Sequence, residues 1–143
     1  MAKYYRIFLF LFVVTISYIT LAQNSNIESY DGRKLIGKKW YYSDTVNGVK
    51  ETRTMIFDKD SVKEIIVRGN KTIIRHDAYY LDDYAAMDFW PSYVGRKYRG
   101  RFLFRGAKDG MVGVIIHKLT DDEFIYSFYE KSPQIKFTAI KDK

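Results

Sequence analysis

Short segments in which apolar and polar residues alternate follow one another from residue 38 to residue 140, with polar turns between them. A period of two is typical of β-strands that bury one face, and the mature chain shows no strong amphipathic-helix pattern. The predicted strands cover residues 38–43, 51–57, 62–67, 72–81, 99–104, 111–118, 124–130 and 135–140. This pattern restricts the chain to an all-β barrel or sandwich.

The turns between these strands are short in every case but one. The strongest hairpin signal is Asn47-Gly48, because both residue types tolerate positive φ. Short connections favour an up-and-down meander over a Greek key, which needs long returns. Eight strands close around an interior that holds side chains or one small ligand. We therefore predict an eight-stranded antiparallel up-and-down β-barrel over residues 35–143, preceded by a flexible polar lead-in over residues 23–34.

Residues 1–22 have the features of a secretory signal peptide. Lys3 and Arg6 supply a positive start, and an almost unbroken apolar run follows over residues 7–19. Thr20-Leu21-Ala22 then provides small residues at a cleavage site. The apolar run is short for a helix that spans a bilayer. The sequence therefore predicts an exported protein, periplasmic or secreted, that does not span the membrane after cleavage.

Composition narrows the functional classes. Hydrophobic residues make up 47% of the 143 residues and aromatic residues 17%, enough to fill one core and to line a pocket. The chain has no cysteine, which excludes disulfides, thiol catalysis and cysteine-based zinc sites. The net charge of +7 favours acidic partners. No nucleic-acid-binding motif is present, so nucleic acid is not an expected partner.

Two short motifs carry a family resemblance. Gly37-Lys38-Lys39-Trp40 opens the first predicted strand, and Thr120-Asp121-Asp122 lies just before Phe124. Lipocalins begin their first strand with Gly-x-Trp, one residue shorter than here, and have a Thr-Asp-Tyr-like turn before the seventh strand. Over residues 35–141 the chain thus resembles a lipocalin-like protein, and residues 119–124 and the Leu-Ala-Gln cleavage region are similar to those of secreted Bacteroidetes proteins. The resemblance implies a calycin-type barrel with a central apolar cavity and indicates no particular ligand.

One long segment, residues 82–98, interrupts the strand pattern. It is rich in aromatic residues, and long ordered loops in compact domains are usually functional. Two interpretations stay open: the segment is a lid over the barrel mouth, or it seals the side of the barrel as ordinary packing. The predicted ligand-binding residues are Tyr84, Met87, Phe89, Trp90, Tyr93, Arg96, Arg99, Phe102 and Phe104.

A basic run adjoins this segment. Its members are Arg96, Lys97, Arg99, Arg101, Arg105 and Lys108, interleaved with aromatic residues. Strand alternation predicts that Lys97, Arg99, Arg101 and Arg105 share one face. That face is either a solvated outer surface or a site for a carboxylate, a phosphate group or an acidic partner.

The leading hypothesis is an exported binding protein whose barrel holds a small apolar or amphipathic ligand. The alternative is a protein–protein interaction module, such as an inhibitor, an immunity protein or an envelope-assembly accessory, that uses the 82–105 surface. An enzyme is the least favoured class. The two histidines, His76 and His117, match no metal-ligand spacing, and no nucleophile motif frames a serine, so we predict no catalytic residue, metal or cofactor.

Overall fold

The computed structural model describes residues 28–107 and 110–141. The predicted signal peptide, residues 1–22, lies outside the described residues, as do residues 23–27 of the lead-in and Lys108 of the basic run. The described end of the lead-in is structured: Asp31 accepts the backbone N–H of Arg33 and caps a one-turn 3-10 helix, Gly32–Leu35. In the described part of the chain, no helix has the length and hydropathy that a membrane span requires.

Ten strands and two 3-10 turns make up the described secondary structure. The strands are β1 (Tyr30–Asp31), β2 (Lys39–Val46), β3 (Val49–Phe57), β4 (Ser61–Arg68), β5 (Lys71–Asp82), β6 (Arg99–Gly100), β7 (Phe102–Ala107), β8 (Gly110–Leu119), β9 (Glu123–Ser127) and β10 (Ile135–Ile140), and the second 3-10 turn is Pro91–Tyr93. Strands β1 and β6 form a separate two-stranded pair. The other eight form one closed barrel.

The barrel is an antiparallel meander in which each strand pairs with the next one along the chain. Its order is β2-β3-β4-β5-β7-β8-β9-β10, and β10 returns to pair with β2. The turn between β2 and β3 has Asn47 at φ 52° and Gly48 at φ 76°, the backbone that the Asn-Gly signal predicts. The predicted fold class, an all-β, eight-stranded antiparallel up-and-down barrel, is confirmed.

One end of the barrel is filled by aromatic and aliphatic side chains. Trp40 is fully buried and donates from Nε1 to the backbone oxygen of Leu35 at 3.0 Å, which ties the first 3-10 turn across this end. The ring of Phe124 meets Trp40 edge-on at 6.0 Å between centroids and Phe57 at 6.2 Å. Because the aromatic side chains of this layer are fully buried, we call this the closed end and the opposite one the open end.

The long segment after β5 packs against the outside of the barrel. Tyr80 of β5 and Phe104 of β7 are cross-strand partners on the outer face, and their rings lie 5.3 Å apart. Phe89 and Tyr93 of the segment pack on Tyr80 at 5.2 and 5.3 Å. Of the two interpretations of residues 82–98, the geometry is that of packing on the side of the barrel.

Candidate ligand-binding site

The inner wall of the open half of the barrel carries charged side chains, in contrast to the apolar closed end. Glu64 of β4, Asp77 of β5 and Arg105 of β7 are all buried there. Each occupies an inward position because strand alternation places it in phase with a core residue, for example Glu64 with Val62.

Arg105 joins two carboxylates from two other strands. Its Nη2 donates to Asp77 Oδ2 at 2.6 Å and to Glu64 Oε2 at 2.9 Å, and its Nε donates to Asp77 Oδ2 at 3.0 Å. Burial acts to lower the pKa of Arg105, and the neighbouring charges of Glu64 and Asp77 outweigh it, so the pKa is raised. The guanidinium is therefore charged, and its Nε and Nη2 are held by two buried carboxylates.

The ionic network continues toward the mouth of the barrel. Arg53 lies 4.0 Å from Glu64 and donates from Nε to Glu51 Oε1 at 2.7 Å, and Arg68 lies 3.7 Å from Glu51. Guanidinium and carboxylate groups alternate along this network. Each charge therefore has a neighbour of opposite sign, which stabilises it in a low-dielectric interior. With Arg105 and Asp77 included, the network has as many guanidinium groups as carboxylates.

A cavity of about 100 Å³ opens among these charged groups. Its walls are formed by Arg53, Met55, Glu64, Arg75, Asp77, Leu103, Arg105, Val112, Val114, Tyr126 and Phe128. The charged side chains come from β3, β4, β5 and β7, whereas Val112 and Val114 of β8, Tyr126 of β9 and the following Phe128 form an uncharged part of the wall. The cavity is thus amphipathic, with a charged wall and an apolar wall.

Arg75 gives this cavity its surplus positive charge. The lining has three arginines and two carboxylates, and the side chain of Arg75 has no ion pair or hydrogen bond with any described residue. Its side chain is exposed at the mouth, and its cross-strand neighbour is Glu64, which Arg105 already engages. A small anion that enters the cavity would therefore meet one unpaired guanidinium.

Tyr126 offers a second polar group on the apolar side. The residue is 3% exposed, and within residues 28–107 and 110–141 its hydroxyl has no hydrogen-bond partner. Burial, with a smaller contribution from Glu64, raises the pKa of Tyr126 to about 12. The phenol therefore keeps its proton at neutral pH and can donate it to a bound acceptor.

The predicted ligand-binding residues lie outside this cavity. Phe89, Tyr93 and Phe104 belong to the outer cluster around Tyr80, and Phe102 stacks on Phe104 at 6.0 Å. The exposed members are Tyr84, Met87, Trp90, Arg96 and Arg99. A ligand inside the barrel would meet none of the predicted side chains, since the cavity walls are formed by other residues.

The prediction that the basic run shares one strand face is wrong. Lys97 lies in the loop before β6 and pairs with Asp82 at 2.7 Å, and Arg105 points into the barrel, in phase with Leu103. Arg99 lies in the short strand β6, and Arg101 lies at a bend before β7, 3.8 Å from Glu130. Alternation separates Leu103 and Arg105 from Phe102 and Phe104 but does not tell which pair is inside, and the two large phenylalanines favoured the opposite phase.

The two histidines are far from forming a metal site. His76 is exposed on β5, and His117 lies at a β-bulge in β8, where its Nε2 is 2.7 Å from Ser127 Oγ. Ser127 Oγ also donates to the backbone oxygen of Tyr129 at 2.7 Å, so the hydroxyl proton is directed away from the imidazole. Among the described residues, no group of three or more His, Asp or Glu side chains is arranged to hold a metal ion.

Comparison with protein-family models, with curated proteins and with solved structures finds no match for this chain. Any assignment of function therefore depends on the barrel fold and on the geometry of the cavity. An eight-stranded barrel of this kind suits the binding of one small ligand in its interior.

Proposed function

We propose that this chain is an exported, lipocalin-like binding protein that holds a small amphipathic anion in the open half of its barrel. The observation that supports this most directly is the unpaired guanidinium of Arg75 at a cavity with one apolar wall. The anionic group would lie between Arg75 and the Tyr126 hydroxyl. The apolar part would pack on Val112, Val114 and Phe128.

The size of the cavity limits the ligand. Pockets for drug-sized molecules are about 300–1,000 Å³, whereas this cavity is about 100 Å³. The ion pairs of Arg105 with Glu64 and Asp77 also line this cavity, so a long acyl chain would have to displace buried, paired charges. We therefore infer a short carboxylate or a similarly compact anion rather than a long-chain lipid.

Titration calorimetry with carboxylates of increasing chain length tests this proposal. Because a hydrogen bond to a charged group contributes about 1.5–3 kcal/mol, Arg75→Gln is expected to weaken binding roughly tenfold or more. Tyr126→Phe should weaken binding less, because it removes one uncharged hydrogen-bond donor. Arg96→Gln is the matched control, since it removes one exposed arginine that does not line the cavity.

Two results would count against the proposal. One is equal affinity of the Arg75→Gln and Arg96→Gln variants for every acid that binds. The other is a clean unliganded mass for protein purified gently from its own host, together with no binding of any acid in the series. A stoichiometric adduct in that native mass spectrum, lost on denaturation, would identify the natural ligand. The same spectrum reports whether the mature chain begins at Gln23, as the export proposal requires.

The outer surface of residues 82–105 supports a second candidate, a protein-interaction role. Met87 is 97% exposed and Trp90 53% exposed, and Tyr84, Arg96 and Arg99 are exposed as well. Aromatic residues and arginine are enriched at the energetic centres of protein interfaces. If this role is correct, a Met87→Ser/Trp90→Ser variant should lose its partner in crosslinking experiments and keep the binding of small anions.

A further inference from the structure

The hairpin formed by β4 and β5 extends beyond the strand next to it. Strand β5 runs from Lys71 to Asp82, but β7 pairs with it only along Ala78–Asp82. Strand β7 then turns back, because Ala107 is already paired with Gly110 of β8. Along residues 71–77, the edge of β5 that faces β7 therefore has no strand paired to it in the part of the chain that the structure describes.

The backbone groups at this open edge belong to alternate residues. In an antiparallel ladder, successive residues direct their N–H and C=O groups to opposite neighbours. The N–H of Tyr79 donates to the backbone oxygen of Asp60, just before β4, so the odd-numbered residues of β5 face β4. The backbone groups of Thr72, Ile74 and His76 consequently point to the open edge.

The side chains along this edge are accessible on both faces of the strand. All six residues from Lys71 to His76 are exposed, including Ile73 at 47% and Ile74 at 55%. Lys71, Ile73 and Arg75 share the inner face of the strand, and Thr72 and Ile74 lie on the outer one. The open edge thus has two basic residues, Lys71 and Arg75, on one face, and Ile74 between Thr72 and His76 on the other.

We propose that the open edge of β5 binds an extended segment of a partner protein, which adds to the sheet as an antiparallel strand. Backbone hydrogen bonds to Thr72 and Ile74 would hold the added strand. Cross-strand pairing favours acidic residues opposite Lys71 and Arg75, and aliphatic residues opposite Ile74. The segment that fits has acidic and aliphatic residues in alternation.

Other occupants of this edge fit the observed chemistry less well. Two copies of the chain joined edge to edge would bring the basic residues of both strands together, and like charges across a strand pair are destabilising. Insertion into a bilayer would place the open-edge N–H and C=O groups in hydrocarbon without partners. An acidic, extended peptide satisfies both the backbone groups and the charges.

Fluorescence anisotropy with a labelled peptide of alternating glutamate and valine tests this inference, and a lysine–valine peptide is the control probe. Thr72→Pro removes one N–H from the open edge and leaves the hydrogen bonds to β4 in place. Thr72→Ala makes a similar side-chain change and keeps that N–H. We expect the Thr72→Pro protein to bind at least about fivefold more weakly than the Thr72→Ala protein, the effect of one lost backbone hydrogen bond.

Charge reversal gives a second test that does not depend on proline. Lys71→Glu, at an exposed position, should weaken binding of the glutamate–valine peptide and strengthen binding of the lysine–valine peptide. If circular dichroism shows that the Thr72→Pro protein is unfolded, the peptide affinities of the Lys71→Glu protein test the proposal in its place. Neither Thr72 nor Lys71 lines the cavity, so binding of small carboxylates should be unchanged in both variants.

Several results would overturn the inference. Equal peptide affinity of the two Thr72 variants would show that the backbone edge is not used, and equal binding of both peptides would remove the charge argument. If sedimentation equilibrium reveals a dimer that Thr72→Pro disrupts, the occupant of the open edge is a second copy of the chain. If the protein binds vesicles of anionic phosphatidylglycerol and does not bind the peptide, the occupant is a membrane surface.

Discussion

Arg105 and Asp77, on neighbouring parts of β7 and β5, form a buried ion pair inside the barrel, with 2.6 Å between Nη2 and Oδ2. Removing one partner of such a pair leaves an uncompensated charge in the interior, which costs about 3–5 kcal/mol. We expect Arg105→Ala to lower the free energy of unfolding by about this amount, because Asp77 loses the cation that it pairs with and Glu64 keeps only the 4.0 Å contact with Arg53. Urea unfolding measures it.

The control for this prediction is Arg99→Ala. Arg99 is exposed, and substitutions of this kind usually change stability by no more than about 0.5 kcal/mol. If Arg105→Ala cost as little as Arg99→Ala, water or a bound cation would have to replace the guanidinium in the cavity, and the network would not be a structural requirement.

The two tryptophans should report separately on the two environments they occupy. Trp40 is fully buried at the closed end, whereas Trp90 is exposed on the outer segment. In a Trp90→Phe variant, the remaining fluorescence is expected to resist quenching by iodide, because Trp40 is out of reach of solvent. In a Trp40→Phe variant, the remaining emission should be readily quenched. Comparable quenching in the two variants would contradict the packing of the closed end.

The strand order could be predicted from the sequence, because the contacts that define it are local. Alternation and the Asn47-Gly48 turn specify hairpins, and successive hairpins leave few ways to close a barrel. The predicted bounds differ from the observed ones by no more than a few residues over most strands, for example 135–140 and Ile135–Ile140. The exception is the strand predicted over 99–104, which is broken into β6 and β7.

The cavity could not be predicted from the sequence in the same way, because its lining depends on which face of each strand is inside. In β7, alternation separates Phe102 and Phe104 from Leu103 and Arg105 but does not say which set is buried. The outer segment decides it: Phe89 and Tyr93 cover the outer face, so the phenylalanines are accommodated there. Arg105 can then be inside only because Glu64 and Asp77 arrive from two other strands. The local alternation pattern gives no signal that these three residues, which are far apart in the sequence, meet inside the barrel.

Stability should depend on acidity through Glu123. Hydrogen bonds from Lys118 and Lys136 lower the pKa of Glu123 from 4.5 to about 2. A carboxyl whose pKa is lower in the folded state stabilises the fold above its unfolded pKa, and this contribution is lost as the pH falls through the folded pKa. We therefore expect the stability difference between wild type and Glu123→Gln to shrink between pH 4.5 and pH 2, as measured by urea unfolding.

Asp88→Asn is the matched control for this pH dependence. Asp88 is exposed, and none of the described residues forms an ion pair with it, so its neutralisation should leave the pH profile close to that of wild type. The Glu123 effect should also weaken as salt is added, because the ion pairs are at the surface and are screened. A salt-independent difference that persists unchanged to pH 2 would rule out the ion pairs as its source.

The contact between Gly106 and Phe89 should determine how firmly the outer segment is held to the barrel. A Cβ atom at position 106 would lie 2.7 Å from the ring of Phe89, too close for the two to keep their places. Gly106→Ala is therefore expected to lower the free energy of unfolding by about 1–3 kcal/mol, as overpacking does. In a Phe89→Ala background the same substitution should cost less, with a coupling of at least about 0.5 kcal/mol in the double-mutant cycle. Equal costs in the two backgrounds would mean that Phe89 does not occupy this position in solution, and that residues 82–98 are held to the barrel by other contacts.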